Sequence, residues 1–513
     1  MIVLCVSHRP LGSNEFSVPM STATLQLAPP LARPALDRAT AAHWMILGGM
    51  AAVYLVLFSY YYPCTHGIED EVGFINQSLV WSRGAISAES AGLHELTDFI
   101  ECKGRHVSWR NPGRSLLILP LLMVGGLPAI FVSGAVVHLL VTLTAALTLA
   151  KLGRSPLWAA LVLCHPTLAI YSRTIMGDEP AALGLSCALF AFVATDRPGW
   201  WAGAAIGFAA VMRYQAGLVL PFFALAILTA PHVNRRGMQA LYCLISGSVF
   251  AIALASYNSC LYGNPTGWIG AGMFGLEYFP RNLASYSLCL SVIFPLMLLS
   301  PAFDRTKARY AVLAIFVPLL LFMCFWFFQD RHSSWAYTLV LGQRLIIPLI
   351  PALVVSYAGC LEDVILERCL RASGRNWIPP VTLAGCAALL ILLTAIFQRH
   401  QVHLSGLRSA RDEVVRAVPE GSLVIANYTL EKLFGVPSPN LPTYRWRSYD
   451  FQGAAVDQAA TIRAEQRTWY LALLPKTPGS ELPDLLRDYV TRYHMIRVPT
   501  EHPTLLLYRA DCP

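Results

Sequence analysis

Residues 43–74 read HWMILGGMAAVYLVLFSYYYPCTHGIEDEVGF, in which an uncharged apolar run is followed within a few residues by three consecutive acids. A helix needs about 20 largely apolar residues to cross a bilayer, and this run is long enough. It ends in Tyr60, Tyr61, Tyr62 and Pro63. The sequence therefore predicts a transmembrane helix that is followed, at the membrane surface, by the acids Glu69–Glu71.

The composition of the whole chain fits the same class of protein. Of its 513 residues, 55% are hydrophobic and 13% are charged, and the mean hydropathy is +0.51. A soluble domain carries roughly 25% charged residues, so a cytosolic globular enzyme is excluded. The net charge of +8 is interpreted as positive-inside topology and not as nucleic-acid binding. The 13 cysteines form no CxxC pair, and they indicate neither a zinc site nor a disulfide framework.

Eleven windows are apolar enough to span a membrane. They lie near residues 43–63, 129–150, 156–172, 180–196, 199–213, 215–231, 239–258, 286–302, 310–328, 339–359 and 379–397. A twelfth window, 115–128, is interrupted by Gly125, Gly126 and Pro128, and is either re-entrant or a separate short span. The fold class predicted is an all-α polytopic membrane protein with about 11 to 13 transmembrane helices.

Clusters of Lys and Arg orient these spans, because cytoplasmic loops carry an excess of positive charge. Lys151 with Arg154, Arg235 with Arg236, and the group 305–309 are assigned to the cytoplasm. The first external loop, 64–114, and the residues after 398 then fall outside.

The chain divides into a disordered cytoplasmic tail (1–42), a transmembrane domain (43–398) and a small extracytoplasmic α/β domain (399–513). In that domain we expect helices Arg408–Val418 and Leu482–Tyr493, and strands Leu423–Asn427, Trp469–Leu474, Met495–Val498 and Leu505–Tyr508.

Two groups of acids lie on the predicted outer side. Glu69–Glu71 places three like charges together at a membrane surface, which raises their pKa values and suits a general base or a cation site. A merely solvated loop is the alternative. Asp178–Glu179 precedes Pro180 and can cap the next helix, and this capping is compatible with one of the two acids also facing a site.

Cations from distant parts of the sequence map to the same side. They are Lys103, Arg105, His106, Arg110 and Arg114 in the first loop, then Arg213, Arg331, His332 and Arg344. The first-loop cluster suits the phosphate of a lipid headgroup or of a lipid-linked substrate, and lipid anchoring without catalysis explains it equally well. Acids and phosphate-binding cations together suit the transfer of a group from a lipid phosphate to a hydroxyl.

Four stretches of the chain resemble one family. Asp70–Phe74 (DEVGF) is similar to the Asp-Glu-x-x-aromatic signature of the GT-C superfamily of polyprenyl-phosphate-sugar glycosyltransferases, which includes the family 39 protein O-mannosyltransferases and the lipid A aminoarabinose transferases. Tyr257–Pro265, Gln343–Pro351 and Tyr171–Pro180 resemble further stretches of these enzymes. The resemblance covers residues 43 to about 430. The chain departs from the pattern at the extra acid Glu69, at Arg110-Asn-Pro-Gly and at Leu345.

This resemblance implies a GT-C fold and a role for each matching residue. Asp70 would be the catalytic base, beside Glu71, and Asp178 or Glu179 the second acid of the site. The donor phosphate would be bound by arginines, with Arg213 and Arg344 supported by Arg110, Arg114 and Arg331. Tyr257, Asn258 and Asn264 would belong to an acceptor or donor loop.

The sequence thus predicts an inverting glycosyltransferase of a bacterial inner membrane. It would move a sugar from a polyprenyl-phosphate donor to a hydroxyl of an envelope glycan, lipid or protein on the outer face.

No nucleotide-binding glycine loop is present. No cofactor is indicated; a divalent metal could sit at the acids, although no His spacing supports one. The alternatives are a transporter or flippase for a lipid-linked sugar, which predicts inverted repeats and midplane charges, and an inactive scaffold whose residues 400–513 recruit a partner.

Overall fold

The computed structural model describes residues 34–88, 99–267, 273–327, 338–339, 344–365, 378–436, 445–449, 468–474, 487, 490–491 and 493–510, and these are mostly helical. The helices are α1 (Pro34–Tyr60), α2 (Glu69–Ser82), α3 (Pro112–Ala129), α4 (Val132–Lys151), α5 (Ala160–Leu163), α6 (Pro166–Tyr171), α7 (Asp178–Ala194), α8 (Gly199–Met212), α9 (Val219–Thr229), α10 (Arg236–Tyr262), α11 (Phe279–Val292), α12 (Ser300–Phe303), α13 (Arg309–Phe325), α14 (Ile350–Ile365), α15 (Ile378–Ala417) and α16 (Tyr428–Phe434). Short 3₁₀ turns lie at Pro156–Ala159, Tyr214–Leu218, Leu276–Tyr278, Met297–Leu299 and Arg344–Leu349.

Among the described residues, six helical segments are long and apolar enough to cross a membrane. They are Ala41–Tyr60, Pro112–Ala129, Val132–Lys151, Arg236–Tyr262, Arg344–Asp363 and Ala387–Ala417. A seventh is possible if α11 and the segment Met297–Phe303, which meet at 106°, form one broken span. The chain is therefore a multi-pass membrane protein, whereas the predicted count of 11 to 13 spans stays a prediction.

Two predicted spans differ in detail from the helices observed. The window 156–172 is divided into a 3₁₀ turn, α5 and α6, because Pro156 and Pro166 each lack the amide that a continuous helix would need. The window 115–128 is part of α3, which begins three residues earlier at Pro112 and bends at Gly126, where φ is +67°. The early start brings the first turn of α3 close to Arg110.

The described residues between α1 and α3 contain a helix and a β-hairpin. Helix α2 packs along α3, and a hairpin of β1 (Phe99–Cys102) and β2 (Arg105–Ser108) follows it. Apolar side chains of α2 and α3, among them Val72, Ile75 and Ile118, share a buried cluster. This cluster fixes α2 against the membrane domain, so that the first turn of α2 has a defined position.

The C-terminal region forms a mixed five-stranded sheet. Its strands are β3 (Leu423–Asn427), β4 (Arg445–Tyr449), β5 (Trp469–Leu473), β6 (Ile496–Val498) and β7 (Leu506–Ala510), in the order β4-β3-β5-β7-β6. β3 is parallel to β4 and β5, while β7 is antiparallel to β5 and β6. The four predicted strands are confirmed, and β4 is an additional one.

The helix that leads into this sheet is longer than predicted. Arg408–Val418 is not a separate helix, because α15 runs without a break through 40 residues from its apolar half into the C-terminal region. The polar half of α15 contains no Pro, and its single glycine, Gly406, does not interrupt the helix. The predicted helix Leu482–Tyr493 lies largely outside the described residues, as do residues 1–33 of the predicted tail. The predicted domain division stays a prediction.

Candidate active site

Glu71 fixes the first turn of α2. Its Oε2 atom accepts hydrogen bonds from the backbone amides of Gly67 and Ile68, both at 2.8 Å, as a Glu at the third position of a helix does in a capping box. Its Oε1 atom accepts a further bond from the amide of Ile175, also at 2.8 Å. Burial raises the pKa of Glu71, and these amides oppose the increase. One carboxylate oxygen therefore caps the start of α2, and the other joins α2 to the segment before α7.

Asp70 lies between two arginines. Its Oδ1 is 2.8 Å from Nη2 of Arg110, and its Oδ2 forms an ion pair with Nη1 of Arg344. Burial opposes ionisation of Asp70, but the charges of Arg344, Arg110 and Arg213 outweigh it and lower the pKa to about 2. Since this value is below that of an unfolded aspartate, the ion pairs stabilise the fold above about pH 4, and the stabilisation is lost as the pH falls through 2.

A second ion pair lies beside the first. Asp178, the first residue of α7, binds Arg213, which follows the last residue of α8. The charge of Arg213 also reaches Asp70. We call Asp70, Arg110, Asp178, Arg213 and Arg344 the Arg/Asp cluster. The cluster brings three guanidinium groups together, and guanidinium groups bind anions such as phosphate through paired hydrogen bonds.

Two glycines allow other backbone segments to approach the end of α8 closely, next to Arg213. A Cβ atom on Gly177 would be 2.7 Å from the carbonyl oxygen of Met212, and one on Gly113 would be 2.7 Å from that of Val211. These distances are too short for a real side chain. The segment before α7 and the first turn of α3 thus approach the backbone on either side of α8, directly before Arg213.

Gly177→Ala is expected to lower the apparent Tm, because the new methyl group must move the backbone of Met212, and overpacking of this kind costs about 1–3 kcal/mol. Thermal unfolding of the detergent-purified protein measures the change. The matched control is Gly48→Ala in α1, where no atom lies within 4 Å of the added Cβ. An equal effect of both substitutions would show that the close approach at Gly177 is unimportant.

Glu179 and Arg114 lie outside the Arg/Asp cluster. Oε1 of Glu179 is 2.7 Å from Nδ1 of His138, and Nε2 of that histidine is 3.0 Å from the carbonyl of Leu163. Because Nε2 must donate to the carbonyl, a proton also lies between Nδ1 and Glu179. Arg114 is 1% exposed and donates to the carbonyl of Thr174 at 3.2 Å. Arg114 thus holds the segment before α7, and Glu179 joins the first turn of α7 to α4.

The other predicted residues organise the C-terminal end of α10. The hydroxyl of Tyr257 accepts a hydrogen bond from Gln77 of α2 at 2.8 Å. Asn258 donates to the carbonyl of Pro265 at 3.1 Å, and Asn264 accepts from Thr266 at 3.0 Å. These two amides stabilise the turn after Gly263, which ends α10 in a left-handed conformation with φ of +80°. Arg331 lies outside the described residues.

A cavity of about 450 Å³ lies between α2, α3, α8 and α10. Its walls are apolar, and they include Leu116, Ala253 and Tyr257. Pro112 and Val211 also contribute to its walls, and each is two residues from an arginine of the Arg/Asp cluster. The cavity therefore adjoins the Arg/Asp cluster.

Sequence reasoning missed His138 and Gln77, the partners of Glu179 and Tyr257. His138 is a lone histidine in an apolar span, and such a residue carries a signal, since ionisable groups inside membranes are costly and usually functional. Gln77 follows the acids by two turns of helix and had no signal of its own. Among the described residues, no group of three or more His, Cys, Asp or Glu side chains could hold a metal ion.

No family model matches the chain, and a search of the curated proteins finds no match. Solved structures do match. The lipid A aminoarabinose transferase ArnT from Cupriavidus metallidurans, bound to undecaprenyl phosphate, aligns with a TM-score of 0.56 at 12% identity, over 91% of this chain and 98% of that one. Its apo form gives the same TM-score at 13% identity, with the same coverage. The chain has the fold of this GT-C glycosyltransferase, which confirms the fold that the resemblance implied.

Two longer proteins are more distantly similar. The oligosaccharyltransferase of Archaeoglobus fulgidus in its apo form has a TM-score of 0.47 at 13% identity, over 84% of this chain and 69% of that one. The arabinofuranosyltransferase AftD from mycobacteria has a TM-score of 0.44 at 14% identity, over 94% of this chain and 42% of that one.

Proposed function

We propose that the protein is an inverting glycosyltransferase that moves a sugar from a polyprenyl-phosphate carrier to a hydroxyl group of an envelope glycan, lipid or protein. The observation that carries the proposal is the Arg/Asp cluster, in which Asp70 at the start of α2 is paired with Arg110 and Arg344. The fold adds support, because ArnT, which shares it, was solved with undecaprenyl phosphate.

Asp70 is the proposed general base. Its carboxylate takes the proton of the acceptor hydroxyl as the oxygen forms a bond to the anomeric carbon of the sugar. The bond from that carbon to the phosphate oxygen breaks, and its electron pair leaves with the polyprenyl phosphate. Attack opposite to the leaving phosphate inverts the anomeric centre. A positioned base of this type contributes about 10²- to 10⁴-fold.

The arginines of the cluster are proposed to bind the donor phosphate. Negative charge grows on the phosphate as the bond to the sugar breaks, and guanidinium groups fixed beforehand stabilise it without reorganisation. Asp178 holds Arg213 in place by its ion pair. Glu71, Glu179 and Arg114 are assigned positioning roles, since Glu71 and Arg114 bind backbone groups and Glu179 binds His138.

The reaction is proposed to take place on the outer face of a bacterial inner membrane. Positive-inside topology puts α2 outside. The C-terminal region lies on the same side as α2, since His66, shortly before α2, contacts the carbonyl of Lys432 at 2.9 Å. One side of the membrane thus holds the site and the C-terminal sheet.

Radiolabelled polyprenyl-phosphate monosaccharides, offered as a panel to the reconstituted protein with total envelope material, test the function. Transfer from one donor is expected and would identify the sugar. Absence of transfer from every donor by a folded protein would reject the enzyme, and uptake of the same lipids into the opposite leaflet would then establish the transporter.

The apolar cavity is proposed to hold the first isoprene units of the donor. Ala253→Trp fills it, and is expected to raise the KM for the donor about tenfold, since losing the burial of two methylene groups costs about 1.6 kcal/mol. The kcat should change little, because the reacting groups lie at the arginines. Steady-state kinetics with increasing donor concentration measure both values.

Ile252→Trp is the matched control, because Ile252 is the adjacent residue of α10, is 65% exposed and does not line the cavity. Its KM should equal that of the wild type. An unchanged KM in Ala253→Trp, with the protein folded, would place the prenyl chain elsewhere.

A further inference from the structure

The residues directly before α2 contact the C-terminal region. Nζ of Lys432, in the last turn of α16, donates to the carbonyl of Gly67 at 2.9 Å. In return, Nε2 of His66 donates to the carbonyl of Lys432 at 2.9 Å. The two hydrogen bonds clamp α16 to the residues directly before α2.

Further contacts extend this clamp along α2. Asn76, which is fully buried, donates from Nδ2 to the carbonyl of Gly435 at 2.6 Å. Val436 shares the buried apolar cluster of Val72 and Ile75. The end of α16 therefore follows α2 for more than one turn of helix, and α2 lies between α3 and the C-terminal region.

The C-terminal region is itself anchored to the segment before α7. Arg173, which is 1% exposed, donates to the carbonyl of Phe397 at 3.1 Å and to Oε1 of Gln401 at 2.7 Å, both in α15. A Cβ on Gly67 would lie 2.8 Å from a methyl group of Leu404, also in α15. Helix α15 thus fixes the C-terminal region relative to both Arg173 and Gly67.

We propose that Lys432 is a positioning residue for Asp70, through which the C-terminal region sets the first turn of α2. Gly67 lies three residues before Asp70, and its amide is held by Glu71 while its carbonyl is held by Lys432. A charge-assisted hydrogen bond is stronger than a neutral one. Its loss frees Gly67 to move, and Asp70 with it, relative to the arginines. The role rests on the proposed function, since it concerns the same base.

Lys432→Met is expected to lower kcat by about 10- to 100-fold, since a displacement of 1 Å in a reacting group can cost about 10²-fold. The donor KM should stay within about twofold, because the arginines and the apolar cavity remain. Lys432→Arg, which keeps the charge and the donor, should recover much of kcat. A purely structural role would lower the amount of folded enzyme and leave kcat per folded molecule unchanged.

Hydrogen exchange gives a second readout that needs no activity. In Lys432→Met the amides of Gly67 and Ile68 should exchange at least about tenfold faster, since each tenfold corresponds to 1.4 kcal/mol, while the β1–β2 hairpin keeps its rate. The control is Arg408→Met, an exposed cation of the same region, which should change neither exchange nor kcat. If Lys432→Met does not fold, Lys432→Gln, whose amide is too short to reach Gly67, takes its place.

Unchanged exchange at Gly67 and Ile68 together with unchanged kcat would overturn the proposal. Faster exchange without a loss of kcat would also overturn it, because the clamp would then not affect Asp70. If the wild type transfers no sugar from any donor, the proposed function fails, and exchange alone still shows whether Lys432 fixes the first turn of α2.

Discussion

Asp70→Asn is expected to lower sugar transfer by about 10²- to 10⁴-fold, the range that a general base contributes. The amide has the size of the carboxylate but cannot take the proton of the acceptor. Rates measured with the labelled donor and with the purified variant test this. The substitution also removes two ion pairs that stabilise the fold, so rates are compared per folded molecule.

Binding of the carrier should behave differently from the rate. In the folded protein, Asp70 forms ion pairs with Arg110 and Arg344. A donor phosphate must therefore compete with Asp70 for the same guanidinium groups. Asp70→Asn removes the competitor, so undecaprenyl phosphate should bind at least as tightly as to the wild type. Loss of transfer with retained binding separates a base from a residue that only holds the donor.

Glu101→Gln is the matched control, because Glu101 is an exposed acid of the same external loop, in β1. It should have the rate of the wild type. A wild-type rate in Asp70→Asn would show that another group is the base, and Asp178 would be the next to test.

The sequence predicted four strands of the C-terminal sheet and the grouping of charged residues from distant parts of the chain. A single assignment of sidedness from Lys and Arg brought Asp70, Asp178, Arg213 and Arg344 to one face, and four of these side chains form two ion pairs there. This was predictable because the cost of burying a charge in a bilayer restricts charged residues to few positions. The strands β3 and β5 were equally clear, since continuous apolar runs of four or five residues are typical of strands that are buried on both faces.

The sequence could not predict which acid of each adjacent pair binds an arginine. Asp70 and Glu71 are adjacent, and on a helix adjacent side chains point about 100° apart, so one faces the arginines and the other the backbone of Gly67 and Ile175. The same holds for Asp178, bound to Arg213, and Glu179, bound to His138. Which member faces the site depends on where each helix begins, and boundaries are the least reliable part of a sequence-based prediction.

Arg344→Met is the second substitution with a large expected effect. Arg344 begins the 3₁₀ turn before α14 and reaches Asp70 from 274 residues away in the chain. Removing one preorganised donor of this kind costs about 10²- to 10³-fold in rate, and we expect kcat/KM to fall by that amount. Arg344→Lys should recover only part, because an ammonium group lacks the planar fork that binds carboxylate and phosphate together. Arg281→Met, the removal of an exposed arginine over Tyr278, is the control and should have no effect.

The pH dependence shows whether Arg344 also acts on Asp70. Arg344 is the largest of the cationic contributions that hold the pKa of Asp70 at about 2, so its removal raises that pKa. The acidic limb of kcat/KM, where the base becomes protonated, should therefore move to higher pH in Arg344→Met. Near pH 7 Asp70 remains ionised in both proteins, and the loss measured there reports on the donor phosphate. A uniform loss at every pH, with no movement of the acidic limb, would show that Arg344 binds phosphate without tuning the base.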